Sequence, residues 1–214
     1  MTPSLDRQYD TIERGLLPEL VVERVTPNDP VVVKHLPEPW EIVGTGNYAA
    51  VFAHPEFSDR VVKVYAPGCP GIEEEIEVYQ RLGEHPAYSR CYGSGENFLI
   101  LRRIYGVTFY DCLPRGIKIP PIAIEDIDRA LAYARDRGLT PHDVHGRNVM
   151  LCDGRGVMVD VSDFLVDEDR DKAWQDLRWA YRWIYRPFLA WRPVRVSYSL
   201  LDLIRKVHLW MRRS

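Results

Sequence analysis

Three polar side chains in the second half of the chain have the types and the spacing to support chemistry. Asp143 and Asn148 share the segment DVHGRN, and Asp160 follows shortly after it. An Asn and an Asp can hold a hard cation such as Mg²⁺ through their side-chain oxygens, while a separate Asp can accept a proton. A cation clamp beside a positioned base is the arrangement that phosphoryl transfer requires.

The segment between Asn148 and Asp160 is expected to bring these two residues together. It reads VML, then DGRG, then VMV, and two apolar runs around a polar turn are typical of a β-hairpin. Such a hairpin places Asn148 and Asp160 side by side at its open end, with Asp143 in the preceding loop. The alternative is that all three residues only shape turns, as Asp and Asn commonly do.

Two residues further upstream predict a buried ion pair. Lys63 stands in the strand-like run VVKVY, where a partly buried ammonium needs an anionic partner. In the amphipathic helix predicted over residues 71–82, only Glu75 shares the face of Ile72 and Tyr79. We therefore expect Glu75 to turn inward and meet Lys63, while the other glutamates of this helix face solvent. The alternative is that Lys63 lies on an edge strand and extends its ammonium into water.

A glycine-containing turn precedes Lys63 along the chain. We predict an antiparallel meander with strands over residues 40–43, 48–54 and 61–65. The turn between the first two strands is Gly44-Thr45-Gly46-Asn47. Glycines at a hairpin tip let backbone amides approach an anion closely. The alternative is an ordinary turn without a ligand.

The rest of the sequence predicts a hinge between two lobes, together with several helices. A strand over residues 98–104 is followed by a break at residues 105–107, and residues 114–121 read as a loop. Residues 1–38 read as an extended lead-in with one short helix and one short strand. Apolar periodicity predicts helices over residues 122–137, 173–184 and 199–211. The core face of the second of these helices consists of Trp174, Leu177, Tyr181 and Ile184.

Composition and charge limit the class of protein. The 214 residues are 46% hydrophobic and 11% aromatic, which suits one large ordered domain or two small lobes. Ten Lys or Arg and two Asp lie between Lys172 and Ser214, so this segment carries +8 and the rest carries −11 of the net charge of −3. The basic segment is expected to cover the molecule's own acidic part or to bind an acidic partner. A nucleic-acid surface built on its Trp, Tyr and Arg side chains is a further alternative.

The termini and the cysteines predict a reduced cytoplasmic protein. The first ten residues are polar and acidic, unlike a signal peptide, and no apolar run reaches the length of about 18 residues that a membrane span needs. The cysteines show no CxxC or metal-ligand spacing; they are Cys69, Cys91, Cys112 and Cys152.

The order of these features resembles the protein-kinase-like superfamily. GTGNYAAV is similar to the nucleotide loop, VVKV to the strand-lysine motif and EIEVYQRL to the helix with the pairing glutamate. HDVHGRN is similar to the catalytic loop, and VDVS to the metal-binding DFG triplet. The resemblance extends from about Trp40 to Ile184, and the chain looks like a compact bacterial serine/threonine-kinase-like protein of the RIO-like or lipopolysaccharide-kinase-like type.

The resemblance implies an α+β, bilobal kinase-like fold with ATP in the cleft. Residues 1–38 would form an N-terminal extension, and residues 39–104 a small N-lobe with an antiparallel sheet. Residues 105–214 would form a truncated, mainly helical C-lobe with basic C-terminal helices.

The resemblance also implies a role for each candidate residue. Asp143 would be the catalytic base, and Asn148 and Asp160 would bind Mg²⁺ or Mn²⁺. Lys63, paired with Glu75, would hold the α- and β-phosphates. The backbone of residues 102–104 would meet the adenine, and His145 would help to neutralise the γ-phosphate. The expected ATP-binding residues are Gly44, Thr45, Gly46, Asn47, Val51, Lys63, Arg102, Ile104 and His145.

Three departures from the family pattern concern regulation. Pro141-His142 precedes Asp143, so no arginine is available there to read a phosphorylated loop. The triplet Asp160-Val161-Ser162 lacks its glycine. Asp176 resembles the aspartate that steadies the catalytic loop, and the sixteen positions from Asp160 to Asp176 are too few for a full activation segment. We therefore expect an enzyme that is constitutively competent or is switched by a partner.

The expected function is an ATP-dependent serine/threonine protein kinase acting on a protein substrate. One alternative, favoured by His145, is a kinase for a sugar, a lipid headgroup or an antibiotic-like small molecule. A second alternative is an ATP-binding switch or an ATPase that transfers no phosphate to a substrate. The intact set of Lys63, Glu75, Asp143, Asn148 and Asp160 argues against the second alternative.

Overall fold

The computed structural model of the chain describes residues 4–27, 29–166, 172–189 and 197. The chain divides into two compact units. The first comprises Met1–Ile104 with Val161–Leu165, and the second comprises Tyr105–Asp160 with Val166–Ser214. Antiparallel sheets and helices both occur, which confirms the predicted α+β class.

The elements are numbered here in chain order. The first unit contains α1 (Leu5–Gly15), β1 (Val21–Glu23), β2 (Val32–His35), β3 (Glu41–Thr45), β4 (Ala49–Ala53), a 3₁₀ turn (Pro55–Phe57), β5 (Arg60–Tyr65), α2 (Ile72–Leu82), β6 (Cys91–Ser94) and β7 (Phe98–Arg102). The second contains β8 (Val107–Thr108), α3 (Phe109–Arg115), α4 (Pro121–Asp136), β9 (Val149–Cys152), β10 (Arg155–Met158), α5 (Lys172–Ala180) and a π-helical segment (Tyr181–Leu189).

The first unit is built on a five-stranded antiparallel sheet in the order β3-β4-β5-β7-β6. Its central strand β5 has the sequence RVVKVY, and β-branched valines favour such a buried strand. Lys63 pairs with Val51 on one side and with Leu99 on the other. Lys63 therefore lies in the middle of the sheet, and the edge-strand alternative is wrong.

The N-terminal residues pack on the core of the first unit, although their sequence suggested an extended lead-in. Ser4 caps α1 by accepting a hydrogen bond from the Arg7 N–H at 3.3 Å. Ile12 and Leu16, one helical turn apart, are fully buried in the cluster that contains Phe52 and Ile100. β1 and β2 form an antiparallel hairpin beside them. The apolar stripe of α1 thus covers one face of the sheet.

Helix α2 runs as predicted and begins and ends at glycines. Gly71 and Gly83 adopt φ values of +109° and +60°, a left-handed region that favours glycine. The inward face consists of Glu75, Val78, Tyr79 and Leu82.

The second unit contains the predicted hairpin. β9 and β10 are antiparallel, with Val149 opposite Met158, and Asp153 and Gly154 form the turn with φ values of +48° and +79°. Two consecutive positive φ values are typical of a tight hairpin turn. A Cβ atom added to Gly156 would lie 2.2 Å from the Ala123 carbonyl oxygen, so β10 lies directly on α4.

Two helical predictions for the second unit differ from the structure. The predicted loop over residues 114–121 begins later, because α3 includes Pro114 and ends at Gly116, where φ is +67°. Ile184, predicted on the core face, is 47% exposed, whereas Tyr185 is buried. The wider π-helical turns shift the inward face by one residue, from Ile184 to Tyr185.

Three further predictions concern the last helix, the cysteines and membrane spans. The helix predicted over residues 199–211 lies outside the described residues. All four cysteines lie in the described residues and are reduced. In the parts of the chain that the structure describes, no helix has both the length and the apolarity to cross a membrane.

Candidate functional site

The ion pair expected between β5 and α2 is present in the first unit. The Lys63 Nζ lies 2.9 Å from Oε1 and 2.7 Å from Oε2 of Glu75. Glu75 is fully buried and Lys63 is 9% exposed. A buried carboxylate of this kind requires a paired charge and hydrogen bonds. The glutamate selected by helical periodicity is thus the one that holds the ammonium.

The glycine-containing turn is shorter than predicted: Gly44 and Thr45 belong to β3, where they pair with Val51 and Ala50, and Gly46 and Asn47 lie at the tip between β3 and β4. Gly46 donates its N–H to the Ala49 carbonyl at 2.8 Å, while its own carbonyl accepts a hydrogen bond from the Val31 N–H at 2.8 Å. An added Cβ atom on Gly44 would meet no atom within 4 Å, and on Gly46 it would only reach ordinary contact. Internal packing therefore does not require glycine at either position, and room remains for a ligand near the backbone. Thr45 and Asn47 are exposed, and Val51 is half-buried on β4.

The strand end expected to meet the adenine is partly occupied by internal hydrogen bonds. The Arg102 N–H donates to the Arg90 carbonyl at 2.8 Å, and the Arg102 carbonyl accepts from the Ser89 hydroxyl at 2.9 Å. The Arg102 guanidinium donates to the Tyr88 carbonyl at 2.5 Å. Arg102 thus holds this strand end in place, and the adenine contact of residues 102–104 stays a prediction.

In the second unit, a network of hydrogen bonds fixes the loop that carries Asp143. The Asn148 side-chain amide donates to the Asp143 carbonyl at 3.1 Å, and the Asn148 N–H donates to the His145 carbonyl at 2.9 Å. The Gly146 carbonyl accepts from the N–H of Tyr110, which lies on α3, at 2.9 Å. The loop is thus held both internally and from a neighbouring helix.

Asp143 has an unusual backbone conformation within this loop. Its φ is +53°, in the left-handed region that L-residues adopt infrequently. The next residue, Val144, is 1% exposed and anchors the loop in the core. The Asp143 side chain is half exposed. A non-glycine residue held at positive φ by its surroundings motivates a functional hypothesis, and here it presents a carboxylate to solvent.

His145 lies beside this carboxylate. The Nδ1 atom of His145 accepts a hydrogen bond from the Arg147 N–H at 3.3 Å, so neutral His145 carries its proton on Nε2. That Nε2 atom is 3.6 Å from Oδ2 of Asp143. The arrangement places His145 against the candidate base. The Nδ1 of His142 is buried without a hydrogen-bond partner among the described residues.

The hairpin brings Asn148 near the residue that precedes Asp160. The Val159 N–H donates to the Asn148 carbonyl at 3.0 Å, which continues the β9–β10 pairing by one step. Because the Asn148 amide nitrogen is engaged with Asp143, the amide oxygen is the atom left to act as an acceptor or a ligand. Asp160 is half-buried at the end of β10.

The side-chain oxygens of Asn148 and Asp160 suit Mg²⁺ better than they suit a metal ion that is coordinated by protein side chains alone. Over residues 4–27, 29–166, 172–189 and 197, no three His, Cys, Asp or Glu side chains group as metal ligands. Mg²⁺ is usually held by one or two carboxylates together with water and substrate phosphates. One carboxylate and one amide oxygen at the open end of the hairpin fit that pattern.

A buried carboxylate on α4, which the sequence interpretation missed, anchors the hairpin. Asp126 is 6% exposed and accepts hydrogen bonds from Nε and Nη2 of Arg155, each at 2.6 Å, and from the Gly156 N–H at 3.2 Å. The Arg155 hydrogen bond is the main cause that lowers the pKa of Asp126 to about 2. Asp126 lies three residues after Ala123 and four before Ala130, on an otherwise apolar stripe. That position was the available signal, the same one that identified Glu75.

Comparisons with known proteins show what this chain is similar to. No protein-family model matches the sequence. A relative from Bacillus subtilis (strain 168), named "Putative serine/threonine-protein kinase YrzF", is 34% identical over 157 residues, which cover 72% of this chain and 73% of the relative. Crystal structures of a single and a double mutant of the Mycobacterium tuberculosis PknI kinase domain are 21% and 22% identical, with TM-scores of 0.44 and 0.45. They align with 58% and 66% of this chain, which spans 60% and 64% of those domains.

Proposed function

Since this chain belongs to the protein-kinase-like superfamily and is a kinase, we propose that it is an ATP- and Mg²⁺-dependent serine/threonine protein kinase with Asp143 as its catalytic base. The relative that establishes the family carries the name of a serine/threonine-protein kinase. The phosphate acceptor, the metal and the role of each residue are part of what we propose.

One observation carries the proposal furthest. Asp143 and Asn148 are joined by a hydrogen bond from the Asn148 amide to the Asp143 carbonyl at 3.1 Å. Asn148 is in turn joined through its carbonyl to Val159, the residue before Asp160, at 3.0 Å. Hydrogen bonds thereby connect the backbone of Asp143 to Asn148 and connect Asn148 to the residue before Asp160. These hydrogen bonds, together with the positive φ at Asp143, support a loop that holds a functional carboxylate.

Each residue has a role that follows from its position. The half-exposed Asp143 carboxylate accepts the proton of the substrate hydroxyl. His145, whose Nε2 lies 3.6 Å from Oδ2 of Asp143, stands beside that carboxylate and helps to neutralise the γ-phosphate. Lys63, held by Glu75, presents its ammonium to the α- and β-phosphates. Gly44 and Gly46 allow the backbone to approach the phosphates.

Asn148 and Asp160 are the residues that would hold Mg²⁺. When bound, Mg²⁺ neutralises charge on the phosphate oxygens, and this is its contribution to phosphoryl transfer. The chain's own contribution is to fix the two ligands at adjacent positions at the end of one hairpin. Catalysis of this kind depends mainly on positioning and on preorganised charge.

The test is transfer of labelled phosphate from ATP. Purified protein is incubated with Mg²⁺ and γ-labelled ATP, alone and with a generic protein substrate, and label on serine, on threonine and as free phosphate is measured. We expect label on serine or threonine of the protein itself or of the added substrate, and loss of label in the Asp143→Asn variant. Label released only as free phosphate would overturn the protein-kinase proposal and favour an ATPase. Label found only on an added sugar or lipid headgroup would favour a small-molecule kinase.

A further inference from the structure

Tyr65 contacts the Lys63–Glu75 pair from the same strand that carries the lysine. Its side chain is buried, at 4% exposure, and its hydroxyl donates to Oε2 of Glu75. Residues two apart on a strand project from the same face. Lys63 and Tyr65 therefore hold one carboxylate together, and the Lys63 Nζ lies 5.6 Å from the centre of the Tyr65 ring.

The same hydroxyl also reaches the start of α2. The Tyr65 oxygen is 3.3 Å from the carbonyl oxygen of Gly71, the residue that precedes the helix. That carbonyl accepts the Glu75 N–H at 2.9 Å and so closes the first turn of α2. Tyr65 thus contacts both the buried carboxylate and the backbone turn that presents it.

Burial explains why this contact matters for the position of Glu75. A fully buried carboxylate is favourable only when charge and hydrogen bonds replace its water. Without the tyrosine hydroxyl, Glu75 keeps its ion pair with Lys63 but loses one hydrogen-bond donor. Conformations in which α2 turns Glu75 towards solvent then become more populated. Lys63 would then lose the partner that fixes its ammonium.

The sequence adds a reason for such a contact. No arginine precedes Asp143, and only sixteen positions separate Asp160 from Asp176, so an ordered phosphorylated loop is not expected to set α2. Another contact is then needed to keep Glu75 turned inward. The Tyr65 hydroxyl supplies one from inside the first unit.

We propose that Tyr65 is a positioning residue whose hydroxyl keeps Glu75 on Lys63, so that the phosphate-binding lysine is set without a prior phosphorylation. The proposal rests on the proposed function for the role of Lys63 and extends it to the regulation of that site. Tyr65 is proposed to act through Glu75 and the first turn of α2, and not as a group that takes part in the transfer itself.

The test compares Tyr65→Phe with Tyr9→Phe. Each variant loses one hydroxyl in the first unit, but the Tyr9 hydroxyl donates to the Ser94 carbonyl at 3.2 Å and touches neither Lys63 nor Glu75. Hydrogen–deuterium exchange of the α2 amides is measured without ligand, together with the Kd for ATP. We expect Tyr65→Phe to accelerate exchange of the Glu75 amide, which is bonded to the Gly71 carbonyl, and of the amides in the next turn of α2. It should also weaken ATP binding roughly tenfold, as loss of a hydrogen bond to a charged group implies. Tyr9→Phe should change neither readout.

A second comparison separates positioning from a general loss of packing. In a Glu75→Gln background, the further change Tyr65→Phe should alter the Kd for ATP less than twofold, because the two residues act through one contact. Unchanged α2 exchange in Tyr65→Phe, or a full tenfold effect in the Glu75→Gln background, would overturn the proposal. If the unmodified chain bound no ATP, the proposed function would fail, and the exchange measurement would still decide whether Tyr65 holds Glu75.

Discussion

Replacing Asp126 with Asn should weaken the second unit by about 2 kcal/mol at pH 7. Asp126 accepts two hydrogen bonds from Arg155, one from the Arg129 guanidinium and one from the Gly156 N–H, and it is 6% exposed. Its folded-state pKa of about 2 lies below the ordinary value of 3.8. Since one pKa unit corresponds to about 1.4 kcal/mol, the difference gives the expected loss.

The dependence on pH follows from the direction of this shift. The folded-state pKa of Asp126 is depressed, so its contribution to stability is fully present above the unfolded-state value of 3.8 and is lost as the pH falls towards 2. About half of the contribution should remain near pH 3. The Asn variant has no carboxylate at this position, so the two proteins should converge in stability over the same interval.

The assay is urea unfolding followed by tryptophan fluorescence. Five of the six tryptophans lie from Trp174 to Trp210, so the signal reports mainly on the second unit. Glu125→Gln is the matched control, because Glu125 is an exposed carboxylate on the same helix, 3.8 Å from Arg129, and exposed pairs contribute little. The account of the hairpin anchor is refuted if Asp126→Asn unfolds like the control at pH 7. It is also refuted if the difference between Asp126→Asn and the unmodified chain is as large at pH 3 as at pH 7.

Two further predictions concern packing in the second unit. Gly156→Ala should destabilise it by about 3 kcal/mol or prevent the hairpin from docking, because the new Cβ would lie 2.2 Å from the Ala123 carbonyl oxygen; urea unfolding that matches the unmodified chain would contradict this close approach. Cys112 should resist iodoacetamide at pH 8 in the folded protein and react after denaturation. It is fully buried, and desolvation, followed by the charge of Asp111, raises its thiol pKa to about 11. Rapid modification of Cys112 in the folded chain, mapped by mass spectrometry, would disprove its burial.

Local sequence patterns were sufficient for the elements that position the site. The VML-DGRG-VMV pattern predicted the β9–β10 hairpin because two apolar runs around a polar turn agree with the tertiary structure there. The placement of one acidic residue on an apolar helical face predicted the inward turn of Glu75. The same reasoning applied to α4 would have found Asp126, whose partner Arg155 lies 29 positions away.

The parts that could not be predicted depend on contacts distant in sequence or on irregular helices. The N–H and the carbonyl of Arg102 are bonded to Arg90 and Ser89, and no local pattern reveals such pairing. Tyr185 lies on the core face in place of the predicted Ile184 because this segment is π-helical. A constant period of 3.6 residues cannot represent such turns. The packing of α1 on the core was not predicted, because its buried stripe is short and its core partners lie in later strands.

The most direct test of the central claim measures phosphate transfer and ATP binding in the Asp143→Asn variant. Asn cannot accept the substrate proton but has nearly the same shape, so the rate of transfer from Mg²⁺·ATP should fall by a factor of about 10² to 10⁴. The Kd for Mg²⁺·ATP should stay within about threefold of that of the unmodified chain, since Asp143 is proposed neither to bind the metal nor to hold the phosphates. A variant that transfers phosphate at the unmodified rate would contradict the assignment of Asp143 as the catalytic base.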